Sequence, residues 1–282
     1  MLIKGVKKLS PLDRLLYFIQ ERESIRLKKE AGEPAPWTDD EILRRYRFTC
    51  VRRMDDKVSR WLLENWYRPY KDHPNMVVAC TLARQINQTS TLEEIGFPET
   101  WQPMKIIDKV RYLQGLGNRV FNPAYRILGK GADDAIEAVI TKTVQPLVDS
   151  PPMVDPRLMQ ATWKALRGYY GLGSFIAGQV VADLRWAVTG GWYDRNRWAP
   201  MGPGSMRGMN RIHGRELEAH IDQDQFIEEL LDLMAKCRPL LPETITKRLE
   251  AMDWQNVLCE TDKNSRVLNN EGRPKQLYAG VG

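Results

Sequence analysis

Cysteine and histidine are scarce, with four of the one and three of the other in 282 residues. Cys50, Cys80, Cys237 and Cys259 show no CxxC spacing, and His73, His213 and His220 form no HExxH-type pair. Nothing therefore signals a disulfide framework, a zinc site or an iron–sulfur cluster. Long apolar runs are missing too. The longest stretch without a charged residue, Gly168–Ala182, has fifteen residues and is rich in glycine, short of the roughly twenty apolar residues that a bilayer span needs. The opening MLIKGVKKLSPLDRLL has basic residues but no apolar run before Ser10 and no small-residue cleavage site, so it does not read as a signal peptide. Internal repeats, low-complexity tracts and strand-like alternation are absent or rare. What remains is 43% hydrophobic and 28% charged. That balance excludes a disordered or fibrous chain, and the length allows one large or two small domains.

Charge is distributed unevenly. Residues 1–71 hold 17 Lys/Arg against 11 Asp/Glu, and residues 185–215 hold six Arg against the single Asp194. Between this second basic region and the basic tail, residues 216–235 have no Lys or Arg and carry Glu216, Glu218, Asp222, Asp224, Glu228, Glu229 and Asp232. An acidic face repels phosphate, so a nucleic acid would track the basic regions. Solvated helix faces account for such charge equally well.

Apolar residues recur three and four apart almost throughout, which predicts an all-α fold. Ser10 and Pro11 are an N-cap and N1 pair for a helix whose stripe is Leu12, Leu15, Leu16 and Ile19 and which stops near Gly32. Thr38 and Glu41 read as a capping box for a helix through Ile42, Leu43 and Tyr46. Further helices are expected over 55–66, 75–87, 103–115, 133–148, 156–168, 174–189, 222–236 and 242–251. The expected organisation is a single unit over 1–282, with lobes 1–150 and 151–282 meeting at the Pro-rich stretch 146–156 and an active-site cleft between them.

Four stretches have chemistry in them. In LRGYYGLGSFIAGQVVADL, Gly171 and Gly173 precede a helix beginning near Ser174. Glycines there let a backbone phosphate approach amides at the helix N-terminus, although a tight turn with no ligand has the same pattern. In APMGPGSMRGMNRIHGR, Gly202, Pro203, Gly204 and Ser205 precede an expected helix start at Met206. Ser205 would cap it while Arg207 and Arg211, four apart on one face, point at an anion. The glycines there suit phosphate contact better than packing, against the plainer reading of a capped surface helix. YRFTCVRRMDDKVSRWLLENW offers Arg52, Arg53, Asp55 and Asp56, which are either surface ion pairs or a pyrophosphate site with a base. DWQNVLCETDKNSRV supplies Glu260, Asp262, Lys263 and Arg266. The spacing of Glu260 and Asp262 is too common to specify Mg²⁺.

These blocks, in this order and with PWTDDEIL, NRVFNPAY and RVLNNEGRPKQLY around them, resemble the α-glutamyl/putrescinyl thymine pyrophosphorylases, the amino acid:DNA transferases of bacteriophages. The resemblance covers most of the chain and departs from the family pattern at Cys50 and Met54. It implies a helix-hairpin-helix fold similar to that of DNA glycosylases. It also implies a duplex DNA substrate whose 5-hydroxymethyluracil has been pyrophosphorylated by a partner kinase, an amino acid or amine co-substrate, no membrane, and a place in the cytoplasm of an infected bacterium. The transferase displaces pyrophosphate with the amine and leaves a hypermodified thymine that host cleavage enzymes do not recognise.

Under that resemblance Arg52, Arg53 and Arg207 are candidates for stabilising the departing pyrophosphate. Asp55, Asp56 and Asp183 are candidate bases for the incoming amine, and Glu260 for holding its ammonium group or, with Asp262, a metal. Gly171, Gly173, Ser174, Gly202, Gly204, Ser205, Arg211 and Lys263 are candidate DNA or phosphate contacts. No resident cofactor is implied, with Mg²⁺ the one candidate. Trp192, Tyr193 and Trp198 are candidates for stacking on an extruded base. Two rivals remain: a glycosylase with Asp194 as its acid, and a DNA-binding protein without turnover.

Overall fold

The computed structural model describes residues 9–122, 134–188, 192–272, 274 and 277, and these are helical with no sheet. An isolated antiparallel bridge joins Tyr46 and Leu277. Among the described residues no helix is long and apolar enough to cross a membrane. The chain forms two units, Met1–Asp56 with Arg195–Gly282, and Lys57–Asp194. The stretch 146–156 lies inside the second.

In the first unit, Ser10 Oγ accepts from the Asp13 amide and starts α1, Pro11–Glu30. Its inner face is Leu15, Phe18, Ile19 and Ile25. Helix α2, Glu41–Arg45, is capped by Asp40 and not by Thr38: Asp40 Oδ1 accepts from the amides of Ile42 (2.8 Å) and Leu43 (3.0 Å). Thr38 Oγ1 instead accepts from the Asp40 amide and so holds the cap in place. After this unit resumes at Arg195 come α11 (Pro203–Ile212), α12 (Gln223–Cys237), the short α13 (Glu243–Thr246) and α14 (Ala251–Leu268). The helix expected over 242–251 breaks after Thr246, and a separate long helix begins at Ala251. Asp253 secures that start by accepting from the Glu250 amide at 2.9 Å. Helix α14 packs against α1, α2, α11 and α12 and buries Trp254, Val257 and Leu258.

Helices α11 and α14 approach each other closely. A Cβ on Gly208 would lie 2.5 Å from the Leu258 carbonyl oxygen, and one on Gly204 would overlap Cys259 Sγ. Packing therefore accounts for two of the glycines that the sequence pattern suggested were poorly suited to it. Gly202 is the N-cap, so α11 begins at Pro203 and not at Met206. Ser205 is fully buried at the third position, where its Oγ accepts from the Gly202 amide and from Gln255 Nε2.

The second unit contains α3 (Lys57–Leu62), which widens into a π-helical turn over Leu63–Tyr67, then α4 (Met76–Ile86), α5 (Thr89–Ile95) and α6 (Pro103–Gly115). Next come α7 (Ala135–Ala138), a second π-helical turn (Val139–Val144), α8 (Gln145–Asp149), α9 (Met159–Leu166) and α10 (Ser174–Ala187). Helix α10 is buried along almost its whole length and packs on α4 and α9. Gly171 turns the chain between α9 and α10 with φ +76°, and a Cβ there would lie 2.6 Å from Thr143 Oγ1. Both constraints demand glycine.

A buried ion pair ties α10 to α4. Arg84 grips Asp183 with Nε and with Nη2, the latter at 2.5 Å, while Tyr67 Oη donates to Asp183 Oδ2 at 2.8 Å. Arg84 also donates to Ser59 Oγ and Asn87 Oδ1. Removing one partner strands a buried charge. Asp183→Ala is expected to cost about 3–5 kcal/mol in chemical denaturation, and replacing Arg84 and Asp183 together with apolar residues to recover most of it. In the first unit, Gly208→Ala should destabilise by about 1–3 kcal/mol despite the better helix propensity of alanine, because a backbone oxygen is the obstacle. A thermal midpoint equal to the wild type would contradict the close approach of α11 and α14.

Candidate functional site

The segment Phe48–Asp56 lies against α14 and gathers a group of polar side chains. The Thr49 amide donates to Glu260 Oε2 at 2.9 Å, and Lys263 Nζ donates to both Glu260 oxygens at 3.1 and 2.8 Å. Asn256 Nδ2 reaches Thr49 Oγ1 and the Cys50 carbonyl. The Cys50 amide donates to Asp56 Oδ1 at 2.8 Å, and the buried Arg53 is anchored by its own amide on Asp253 Oδ1. From α1, Arg22 donates through Nη2 to the carbonyls of Phe48 (3.0 Å) and Thr49 (3.2 Å). Its Nη1 has no hydrogen-bond partner among the described residues, although the side chain is buried.

Charge and burial give these groups distinct protonation behaviour. Burial pushes Asp56 up to about 6, against the opposing pull of the Cys50 amide and the Arg53 guanidinium. Burial, and then Asp56, pushes the Cys50 thiol up to about 12. Burial likewise pushes Cys259 up to about 12. Both thiols are thus protonated near neutral pH and are poor nucleophiles. Asp56, in contrast, exchanges a proton close to neutrality, the property of a general base.

Asp55, its neighbour, is held by Arg248 Nη2 at 3.0 and 2.8 Å and lies 3.4 Å from Arg52 Nη1 and 3.5 Å from Arg26 Nε. Arg248 and Arg26 also pair with Glu23. Arg52 and Asp55 therefore belong to an ion-pair network, while Asp56, one residue on, faces Cys50.

Glu260 and Asp262 serve different clusters. Two residues apart on a helix, they face away from each other. Asp262 is buried and accepts from Arg211 Nε at 2.8 Å and Arg207 Nε at 3.2 Å, with Arg266 Nε at 3.4 Å. Arg207 also pairs with Glu218, and Arg211 with Glu271. The two carboxylates do not converge on one ion, and among the described residues no group of three or more His, Cys, Asp or Glu could hold a metal.

In the second unit, Asp183 is enclosed by Arg84 and Tyr67 as described above. Gly173 caps α10 without a side chain, and a Cβ on it would meet nothing within 4 Å, so the backbone there is approachable. Tyr170 and Phe175 flank the turn and are exposed, and Arg167 lies over the Trp163 ring at 4.5 Å. Asp194 accepts from the Met159 and Gln160 amides at 2.9 and 3.0 Å and thereby caps α9. Trp192 and Trp198 are buried, with Trp192 Nε1 donating to the Asp155 carbonyl, whereas Tyr193 is exposed.

The sequence reading named Arg52, Arg53, Asp55, Asp56, Glu260 and Lys263 but missed Arg22, Asn256 and Asp253. Arg22 had a signal. It falls on the apolar stripe of α1, three and four residues after Ile19 and Phe18, where an arginine is buried only if something polar receives it. Asn256 and Asp253 could not be recognised without knowing that a helix runs through 251–268.

Comparison with known proteins supplies the class. A family model described as the helical domain of 5-hmdU DNA kinase matches residues 10–273. The chain belongs to that family, which points to phage modification of DNA carrying 5-hydroxymethyluracil. No curated protein and no solved structure matches it.

The raised Asp56 makes a prediction independent of any substrate. A carboxyl that titrates near 6 when folded and near about 3.9 when unfolded is favoured protonated, so its contribution to stability falls as pH rises from about 4 through 6. Asp56→Asn keeps an oxygen for the Cys50 amide and removes this penalty. Its thermal midpoint should match the wild type near pH 4 and exceed it by a margin that levels off above pH 7. A constant gap across that range would show that Asp56 titrates normally.

Proposed function

We propose that this chain is an amino acid:DNA transferase with a helix-hairpin-helix, glycosylase-like body, acting on pyrophosphorylated 5-hydroxymethyldeoxyuridine in duplex DNA. Asp56 carries the reading: a carboxyl titrating near neutrality beside the Arg53 guanidinium, with Arg22 on the carbonyls of Phe48 and Thr49 in the same segment. In this scheme the C–O bond to pyrophosphate breaks, with the uracil ring supplying electrons and the leaving group departing with the bonding pair. An exocyclic methylene forms, and the amine nitrogen makes the new C–N bond. Asp56 takes the proton released by the amine, help worth roughly a hundred- to ten-thousand-fold in rate. Arg22 and Arg53 face the charge that develops on the leaving pyrophosphate. The turn at Gly171–Gly173 and the N-terminus of α10 suit a backbone phosphate, which positions DNA without reading sequence.

Family membership supports the substrate, since 5-hmdU DNA is in the family's description. The same description favours a second reading, in which the chain holds 5-hydroxymethyluracil DNA for phosphorylation of the hydroxymethyl oxygen. The sequence has no GxxxxGK[ST] motif, so a P-loop for that reaction would have to lie elsewhere. Excision of the base is weakly supported, because both oxygens of Asp194 are engaged at α9. The proposed setting is the cytoplasm of the infected cell, after a 5-hydroxymethyluracil DNA kinase has acted.

Purified protein incubated with pyrophosphorylated 5-hydroxymethyluracil DNA and a pool of amino acids, followed by nucleoside mass spectrometry, is expected to yield a nucleoside heavier by one amino acid. Asp56→Asn should lower its rate of formation by at least a hundredfold. A mass gain of phosphate only, from unphosphorylated DNA and ATP, would replace this reading with the second one. Abasic sites would replace it with excision.

A further inference from the structure

A cleft of about 330 Å³ opens between α1, α11 and α14, and it shares no residue with the Asp56 and Glu260 cluster. Each helix presents one face to it: Pro11, Arg14 and Leu15 from α1, Gly208, Arg211 and Ile212 from α11, and Leu258, Thr261, Asp262 and Ser265 from α14.

Its polar groups are unequally satisfied. Asp262 accepts from Arg207 and Arg211 and lies 3.4 Å from Arg266 Nε, and Arg211 is held by Asp262 and Glu271. Arg215, at the rim, pairs with Glu229. Arg14 has no carboxylate partner among the described residues. Its one hydrogen bond is from Nη1 to Ser265 Oγ at 3.4 Å, and Nε makes none. Burial and the nearby charge of Arg211 pull its guanidinium below the usual value, whereas Glu271 opposes this. On the wall contributed by α14, Thr261 is 7% exposed and its hydroxyl also lacks a partner. A buried hydroxyl and a crowded guanidinium, both unsatisfied and both lining one cleft, are costly unless a ligand completes them. Cations repelling each other ask for an anion, and unsatisfied donors on α1 and α14 facing one cleft suit an oxyanion with several acceptor oxygens.

We propose that this cleft binds a phosphoryl anion, with Arg14 and Thr261 as its principal donors. The anion comes either from free pyrophosphate or from a DNA backbone phosphate, which present the same chemistry to these groups. The site stands apart from the transfer reaction, and its existence does not depend on Asp56.

The full chain titrated with sodium pyrophosphate at constant ionic strength, followed by calorimetry and thermal shift, tests it. Saturable binding is expected, weakened at least tenfold by Arg14→Gln, as loss of a charge-assisted hydrogen bond requires. Thr261→Val guards against a merely structural effect. It removes an unsatisfied buried hydroxyl, so the ligand-free thermal midpoint should hold or rise while affinity falls. Asp56→Asn should leave the Arg14-sensitive part of the titration unchanged even where it lowers turnover, so failure of one idea is separable from failure of the other. Competition by a short unmodified duplex would identify the backbone as the source, and lack of competition would identify free pyrophosphate, each with the same sensitivity to Arg14. No saturable binding, or binding indifferent to both substitutions, would overturn the proposal.

Discussion

The close approach of α11 to α14 is the constraint on which the first unit depends. It is possible only because positions 204 and 208 have no Cβ, which lets one helix seat against the Leu258 carbonyl and the Cys259 side chain of the other. At that separation Arg207 and Arg211, on one face of α11, reach the same buried carboxylate, Asp262. A charge buried to that degree survives only when it is fully paired. The glycines and the arginines of this segment are therefore two halves of one requirement: small residues bring the helices together, and the arginines neutralise what the approach buries.

The two units use buried charge in different ways. In the second, Asp183 and Arg84 form a closed pair, completed by Tyr67, Ser59 and Asn87, whose effect is to lock α10 to α4. In the first, the pairing is incomplete at particular atoms: Arg22 Nη1, Arg14 Nε and the Thr261 hydroxyl. Asp56 is held by the Cys50 amide in a place where burial opposes its ionisation. Saturated networks rigidify, whereas unsatisfied donors and a carboxyl near neutrality are what chemistry on an anionic substrate uses. That contrast separates Asp56 from Asp183 and Asp55, which sequence alone presented as equivalent bases.

Much of the helical plan was legible in advance. The Ser10–Pro11 start, the stripe of α1 and the helices over 76–86, 103–115 and 223–237 follow from local periodicity and capping chemistry. Errors occurred where a neighbouring residue competed for a local role. Asp40 displaced Thr38 as the cap of α2, because its carboxylate accepts from two amides at once. Gly202 displaced Ser205, because the close seating of α11 buried the serine. Helix α14 was read only as a charged stretch, since Asp253, Glu260, Asp262, Asn264 and Ser265 are all buried and mask the apolar period.

The sequence by itself determined the all-α class, most helix boundaries and the stretches in which chemistry is concentrated. These follow from interactions spanning three or four residues. Tertiary structure decided which carboxylate is enclosed, which is paired and which is poised, because Asp56, Asp183 and Asp262 differ only in what packs around them. Arg84 and Tyr67 lie 99 and 116 positions from Asp183, and Arg211 lies 51 from Asp262; Asp56 has local partners in Cys50 and Arg53, but the burial that raises it is a product of packing that no local pattern encodes.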